Sequence, residues 1–158
     1  MHTNKKNFVS VFLFLIIYFF STDTIAAPKY SSFSLDAISG EILHNNRGFQ
    51  TRYPASLTKV MTLYLIFEDL EDGKIQKSDL VTFSRNASSM PASKLGLAPG
   101  ETITLSNAIK ALAIKSANDV ATAVAEHLSG TEESFATRMT NKAQELGMYQ
   151  TSFRNASG

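Results

Sequence analysis

The sequence predicts an α+β fold in which a β-hairpin precedes a lobe of helices. Three observations predict this class. Residues 30–43 alternate apolar and polar side chains around a Ser-Gly turn, residues 56–72 form a long apolar segment, and residues 106–147 carry apolar side chains at helical spacing. With 158 residues, the chain has room for one ordinary domain.

The first 26 residues have the layout of a secretory signal peptide. Lys5 and Lys6 precede an uncharged run from Phe8 to Phe20, and small and polar residues follow as far as Ala26. That run is shorter than the roughly 18 to 20 residues that span a bilayer core. We therefore expect cleavage after Ala26 and an exported protein, in the periplasm or at the outer face of the cytoplasmic membrane. An uncleaved signal anchor is the alternative.

Composition restricts both the chemistry and the partners. The absence of cysteine excludes disulfides, thiolate metal sites and thiol nucleophiles. The sequence has 15 basic and 14 acidic residues, and loss of residues 1–26 would remove two lysines and one aspartate, which leaves a charge near zero. Such a chain lacks the basic field that a phosphate backbone attracts, so we expect no nucleic-acid partner.

Local patterns predict the elements in order. Period-two alternation in residues 32–37 before the Ser-Gly pair predicts the hairpin. Apolar residues cover most of the helical circumference in residues 56–72, which predicts a helix buried on nearly every side, ended by Gly73, with Tyr64 and Phe67 in the core. Residues 73–104 mix glycine, proline and serine and predict a loop-rich lobe.

Three more helices are predicted in the second half of the chain. Residues 106–115 and 118–128 form two of them, and they meet at the sequence KSAND. Thr131, followed by acidic residues in the next turn, begins a third amphipathic helix that ends before Gly147. His44 and His127 have no evident partner and are expected to be surface or structural residues.

Ser56 and Lys59 are the first candidate for chemistry. If Ser56 begins a helix, Lys59 lies one turn further on the same face. A serine hydroxyl needs an adjacent base at neutral pH, and a lysine serves only where burial or a nearby cation keeps it neutral. A plain capped helix remains the alternative, because serine is a common N-cap. The expected number of chance S-x-x-K matches in a chain of this size is also roughly 0.5.

Ser116 and Asn118 are the second candidate, since they lie in the break between two apolar helices. Side chains in such a break can project into a cleft, although serine and asparagine are also ordinary caps there. The stretch Ser84-Arg85-Asn86 repeats the S-x-N pattern but lies in the loop-rich lobe. Ser116 follows an apolar helix well after Ser56, and this setting favours it over Ser84.

These stretches together resemble those of a known family, the serine D-alanyl-D-alanine carboxypeptidases, which are low-molecular-mass penicillin-binding proteins. PASLTKVMT resembles the S-x-x-K motif, and KSANDVA resembles the carboxypeptidase form of the second motif. SKLGLAPGE and LGMYQTSFRNASG are similar to further family stretches, so the likeness runs from about Tyr30 to Gly158. It implies the penicillin-recognising, β-lactamase-like α+β fold.

The resemblance also implies the roles of the candidate residues. Ser56 would be the acylated nucleophile, its backbone N–H one oxyanion donor, and Lys59 its general base. Ser116 would relay a proton to the leaving amine, and Asn118 would orient Lys59 and bind a substrate carbonyl. The implied reaction removes the terminal D-alanine from peptidoglycan stem peptides through an acyl-enzyme, without metal or cofactor. β-Lactam antibiotics would be covalent inhibitors, and full-length relatives would associate peripherally with the membrane.

The third family motif, K-T-G, is missing from the sequence. In the family it supplies a cation for the substrate carboxylate and a second oxyanion donor. We therefore expect residues 27–158 to be an incomplete catalytic domain, with the hairpin and helical lobe but without the remaining strands, and to be inactive and poorly folded alone. A class A β-lactamase is a second interpretation, disfavoured because QTSFRNASG lacks the expected glutamate. A non-catalytic fragment is a third.

Overall fold

The structure, a computed structural model, describes residues 30–158. The described chain forms two compact units that divide after Gln50. The predicted signal peptide at residues 1–26 lies outside the described residues. Among residues 30–158, no helix combines the length and the apolar character that crossing a membrane requires.

The first unit is a β-hairpin, as predicted. Strand β1 (Ser32–Leu35) pairs antiparallel with strand β2 (Ile42–Asn46), and the register shifts by one residue between Ser34 and Leu35, which is a β-bulge. Asp36 shapes the turn, because its Oδ1 accepts hydrogen bonds from the N–H groups of the two residues that precede Gly40. Gly40 itself has a φ of +74°, a conformation that glycine adopts without strain.

His44 is a surface residue of the hairpin, as expected. His44 does have a partner, since its Nε2 is hydrogen-bonded to Ser32 Oγ across the strands at 2.7 Å. Phe33 also packs edge-to-face against Phe49, with ring centroids 5.3 Å apart. Local side-chain pairs of this kind stabilise the pairing of β1 with β2.

The second unit, residues 51–158, holds the helices and a short strand pair. Its elements in chain order are a 3₁₀ turn (Ala55–Leu57), α1 (Thr58–Glu71), β3 (Leu80–Thr82), α2 (Arg85–Ser89), β4 (Thr102–Thr104), α3 (Leu105–Lys110), a π-helical turn (Ala111–Lys115), α4 (Asn118–Ser129) and α5 (Glu132–Glu145). Strands β3 and β4 are antiparallel and lie in the stretch predicted to be loop-rich. Three-residue strands are too short to show alternation in the sequence, which explains the difference.

Helix α4 is the centre of the core. Seven consecutive residues, 119–125, are buried, so the helix is enclosed on every side in its first two turns. Most of them are alanine, valine or threonine, and small side chains let neighbouring elements approach closely. The largest apolar side chains packed in the same core are Phe83, Phe135, Leu65, Ile66, Leu105 and Met139.

Helix α1 is buried on one side only, which corrects the prediction of burial on nearly every side. Leu65 and Ile66 are fully buried, whereas Val60, Tyr64 and Phe67 are 62%, 42% and 50% exposed. Tyr64 and Phe67 are therefore not core residues among the described residues. Apolar side chains around a whole helix are buried only where protein packs on every side, and within residues 51–158 α1 is packed on one side.

The ends of the long helices follow the predicted signals. After α1, Gly73 has a φ of +70°, its N–H donates to the Leu70 carbonyl, and the Lys74 N–H donates to the Asp69 carbonyl. These two bonds are a Schellman motif. At the start of α5, Thr131 Oγ1 accepts from the Ser134 N–H at 3.1 Å, as expected of an N-cap.

Candidate active site

The predicted nucleophile and base lie where the 3₁₀ turn runs into α1. Ser56 is in the middle of that turn and is exposed to solvent. Lys59 is the second residue of α1, and only 3% of its surface is exposed. The two residues are one helical turn apart. The serine is open to a ligand, whereas the amine is enclosed by protein.

Left-handed backbone occurs at one of the two predicted serines, Ser116, and at the residue before the other, Ser56. Within residues 30–158, the non-glycine residues with positive φ are Arg47, Ala55 and Ser116. Ala55, with φ 49°, comes immediately before Ser56, and Ser116 has φ 56°. A left-handed conformation costs a non-glycine residue about 1 kcal/mol or more, and strain of this kind concentrates at functional sites.

Ser116 occupies the break between the π-helical turn and α4. The N–H of Ala117, the residue after Ser116, donates to the Ala111 carbonyl at 3.3 Å and closes the π-helical turn. The left-handed conformation of Ser116 redirects the chain into α4. π-helical turns often occur next to functional sites. Ser116 is half-buried, and neither its hydroxyl nor that of Ser56 makes a hydrogen bond within the described part of the chain.

The hydrogen bonds of Lys59 suit a proton acceptor. Its Nζ donates to Asn118 Oδ1 at 2.7 Å and to the Ser157 carbonyl at 2.9 Å. Burial removes water from the ammonium group and lowers the pKa of Lys59. A neutral amine has two hydrogens and one lone pair, so the two acceptors can take both hydrogens and leave the lone pair for a neighbouring hydroxyl.

Asn118 links Lys59 to the loop after α2. While its Oδ1 accepts from Lys59, its Nδ2 donates to the carbonyls of Pro91 at 3.0 Å and Ala92 at 3.3 Å. Its backbone N–H donates to the Ser93 carbonyl at 2.7 Å. The side chain is thus held in one orientation, and a substrate carbonyl would compete with Pro91 and Ala92 for the Nδ2 hydrogens.

The next residue, Asp119, fixes the same loop. It is fully buried, and its carboxylate accepts from the N–H groups of Leu95 at 3.0 Å, Gly96 at 2.8 Å and Val120 at 2.9 Å. Ser93 Oγ adds a bond to the Lys115 carbonyl at 2.8 Å. The residues around the α3–α4 break therefore hold the SKLGL stretch beside Asn118.

The structure brings two of the four predicted side chains into contact and adds a backbone group that the sequence did not indicate. Lys59 and Asn118 are brought into direct contact, whereas Ser56 and Ser116 are not hydrogen-bonded to either of them. The Ser157 carbonyl, which accepts from Lys59, was assigned no role. A carbonyl belongs to every residue type, so no residue pattern could have singled it out; only the likeness of LGMYQTSFRNASG to a family stretch pointed to that segment.

Other candidates have structural explanations. Ser84 Oγ accepts from the Ala87 N–H at 2.9 Å and caps α2, which leaves Ser116 as the better-placed serine of the two S-x-N stretches. His127 lines a cavity bordered by the ion pairs of α1 and α5. No cluster of three or more histidine, aspartate or glutamate side chains within residues 30–158 is placed to hold a metal ion.

Comparisons with known proteins agree with the fold and the motifs. The family description that matches residues 20–158 is D-alanyl-D-alanine carboxypeptidase. The chain is 42% identical over 137 residues to the D-alanyl-D-alanine carboxypeptidase DacF of Bacillus subtilis (strain 168), which covers 87% of this chain and 35% of DacF. It therefore spans about a third of the length of this relative.

Solved structures give the same answer. Penicillin binding protein 5 from Haemophilus influenzae matches with a TM-score of 0.77 and 33% identity, over 81% of this chain and 38% of that one. Penicillin-Binding Protein D2 from Listeria monocytogenes in the ampicillin-bound form matches with a TM-score of 0.72 and 27% identity, over 81% and 51%. The predicted fold class is confirmed, and the chain belongs to the D-alanyl-D-alanine carboxypeptidase family.

Proposed function

We propose that residues 27–158 supply the acylating residues of an exported serine D-alanyl-D-alanine carboxypeptidase that acts on peptidoglycan stem peptides. Family membership and the placement of Ser56, Lys59 and Asn118 support this function. The observation that carries it is the buried amine of Lys59, held by an amide oxygen and a carbonyl one turn from an exposed serine.

The proposed acylation begins at Ser56. Its Oγ attacks the carbonyl carbon of the penultimate D-alanine while Lys59 accepts the hydroxyl proton. The peptide C–N bond then breaks, and Ser116 relays the proton held by Lys59 to the departing amine of the terminal D-alanine. Water hydrolyses the resulting ester, which releases the shortened peptide and restores Ser56. Asn118 holds Lys59 in place and contacts the substrate.

A chimera with DacF tests this function. Residues 27–158 would replace the equivalent segment of DacF, and a fluorescent penicillin would report acylation. We expect the chimera to be labelled, Ser56→Ala to lose the label, and Lys59→Ala to slow labelling by about a hundredfold or more, because the hydroxyl loses its base.

Ser84→Ala is the matched control, since Ser84 belongs to the competing S-x-N stretch and only caps α2. It should be labelled like the parent chimera. A folded chimera that takes no label, or equal labelling after Ser56→Ala, would contradict the proposal.

Export is a separate part of the proposal. It is supported by the charged, apolar and small-residue order of residues 1–26. Amino-terminal sequencing of the protein expressed with its own first 26 residues should give Ala27 as the first residue. A mature chain that starts before residue 22 would contradict the assigned cleavage site.

A further inference from the structure

The backbone carbonyl that accepts from Lys59 belongs to a stretch without helix or strand. Residues 153–158 are irregular, so no ladder of backbone hydrogen bonds sets the position of the Ser157 carbonyl. Its position depends on whatever holds the neighbouring peptide groups. Ala156 is the fully buried residue of this stretch, and both of its backbone polar groups are bonded to side chains.

Glu132 and Thr62 make those two bonds. Glu132 Oε1 accepts from the Ala156 N–H at 3.0 Å, and Thr62 Oγ1 donates to the Ala156 carbonyl at 2.8 Å. Thr62 is fully buried and lies one turn after Lys59 on α1, so the two residues bind successive carbonyls of the same stretch. The bond to Glu132 involves a carboxylate and is therefore stronger than one between neutral groups.

The residues on either side of Ala156 and Ser157 are held as well. Asn155 Oδ1 accepts from the N–H groups of Ser157 at 3.1 Å and Gly158 at 2.6 Å. A Cβ atom on Gly158 would overlap the carbonyl of Ala55, the residue before Ser56. The stretch therefore packs against the turn that bears the candidate nucleophile while its Ser157 carbonyl binds the candidate base.

We propose that Glu132 and Thr62 are positioning residues for Lys59. They fix the Ala156 peptide groups, so that the Ser157 carbonyl takes one hydrogen of the Lys59 amine and the remaining lone pair is directed at Ser56. Both act through the backbone at residues 156–157 and not on the substrate. This inference rests on the proposed function of Ser56 and Lys59.

Paired variants separate positioning from simple packing. Thr62→Val removes the hydroxyl at nearly constant volume, and Thr62→Ser keeps a hydroxyl. Glu132→Ala removes the acceptor, and Glu132→Gln keeps one. The control is Thr104→Val, because Thr104 Oγ1 caps α3, where it accepts from the Asn107 N–H at 3.3 Å, and it has no hydrogen bond to Glu132 or to residues 153–158.

Two measurements apply to each variant. The first is the second-order rate constant for acylation of the DacF chimera by a fluorescent penicillin, at matched folded fraction. The second is the ¹³Cε resonance of Lys59 in the same chimera, which reports the environment of the amine without any reaction. We expect Thr62→Val and Glu132→Ala to slow acylation by about tenfold to a hundredfold and to move the Lys59 resonance.

The conservative variants and the control should behave differently. Thr62→Ser and Glu132→Gln should stay within about threefold of the parent, because a hydrogen-bonding group remains. Thr104→Val should leave both readouts unchanged. If the two positions served only to fill space, Thr62→Ser and Glu132→Gln would not be expected to keep the acylation rate of the parent.

Three outcomes would overturn the inference. The first is a parental acylation rate with an unmoved Lys59 resonance in Thr62→Val. The second is equal slowing in Thr104→Val and Thr62→Val, and the third is no recovery in Thr62→Ser. If Glu132→Ala does not fold, the Thr62 pair decides alone. Loss of label in Ser56→Ala with normal labelling in Thr62→Val rejects this inference only, whereas labelling of Ser56→Ala rejects the proposed function too.

Discussion

At the scale of single residues, Lys59 shows how a common side chain becomes a candidate base. A lysine near the start of a helix is ordinarily solvated, yet this one is 3% exposed. Both of its acceptors, an amide oxygen and a backbone carbonyl, are neutral. A carboxylate partner would stabilise the ammonium form, whereas neutral acceptors bind the hydrogens without offsetting the cost of desolvation. The site therefore lowers the pKa of Lys59 and shifts the equilibrium towards the neutral amine, the form that general-base catalysis would need.

A dependence of stability on pH follows from the lowered pKa of Lys59. Between the folded-state pKa and the ordinary value of 10.5, the unfolded chain binds more protons at this residue, so its contribution to stability rises with pH. The contribution is complete above the unfolded pKa and is lost as the pH falls through the folded one.

Urea unfolding of the DacF chimera as parent and of its Lys59→Met variant measures this effect. The free energy of unfolding of the parent minus that of the variant should increase from pH 7 towards pH 10.5, by about 1.4 kcal/mol for each unit of pKa depression. A difference that stays flat or falls over this range would contradict a lowered pKa.

At the scale of elements, α1 and α5 are joined by one nearly buried ion pair. Arg138 of α5 donates to both oxygens of Asp69 of α1, at 2.6 and 2.7 Å, and the Asp69 side chain is 4% exposed. The hydrogen bonds with Asp69 raise the pKa of Arg138. A bidentate pair has fixed geometry, so it sets how the two helices lie on each other.

Removal of Arg138 should destabilise the protein, because Asp69 would remain buried without its main partner. We expect Arg138→Met to lower the free energy of unfolding by roughly 2–3 kcal/mol, less than for a wholly buried pair since the guanidinium keeps some exposure. Asp69→Asn combined with Arg138→Met should recover part of the loss. Lys74→Met, which removes an exposed lysine near the same carboxylate, is the control and should change stability little. Equal losses in both single variants would contradict the argument.

The elements also show what could be predicted from the sequence and what could not. Thr131 and Gly73 predicted a helix start and a helix end, because caps depend on residue type and local backbone. The strand pair β3–β4 was missed, since Val81 is its one fully enclosed side chain and a single residue shows no period. The π-helical turn before Ser116 was missed because its sequence, ALAIK, fits an α-helix equally well.

At the scale of the whole molecule, contacts between residues that are far apart in the sequence cannot be predicted from local sequence patterns. Lys59 and Asn118 are 59 residues apart, and only the resemblance to a family implied that they meet. The faces of α1 were predicted wrongly because the sequence shows which side chains are apolar but not which neighbours cover them. The contact between Lys59 and Asn118 agrees with what the resemblance implied, whereas the contribution of the backbone of residues 153–158 was not predicted.

The exposed side of α1 leads to the last prediction. Val60, Tyr64 and Phe67 are spaced at i, i+4 and i+7, so they form one apolar stripe on the side of the helix away from the core. An exposed apolar stripe promotes association, so the chain should bind the dye ANS and elute larger at higher concentration. Tyr64→Lys combined with Phe67→Lys should weaken both effects.

The matched control for this variant is Ile114→Lys. Ile114 is also apolar and is 85% exposed, but it lies in the π-helical turn and not on the α1 stripe. Light scattering coupled to size-exclusion chromatography should show the parent and Ile114→Lys associating alike, and the double α1 variant remaining smaller. If Ile114→Lys reduces association as much as the double variant does, apolar exposure in general is responsible and the stripe on α1 has no special part in it.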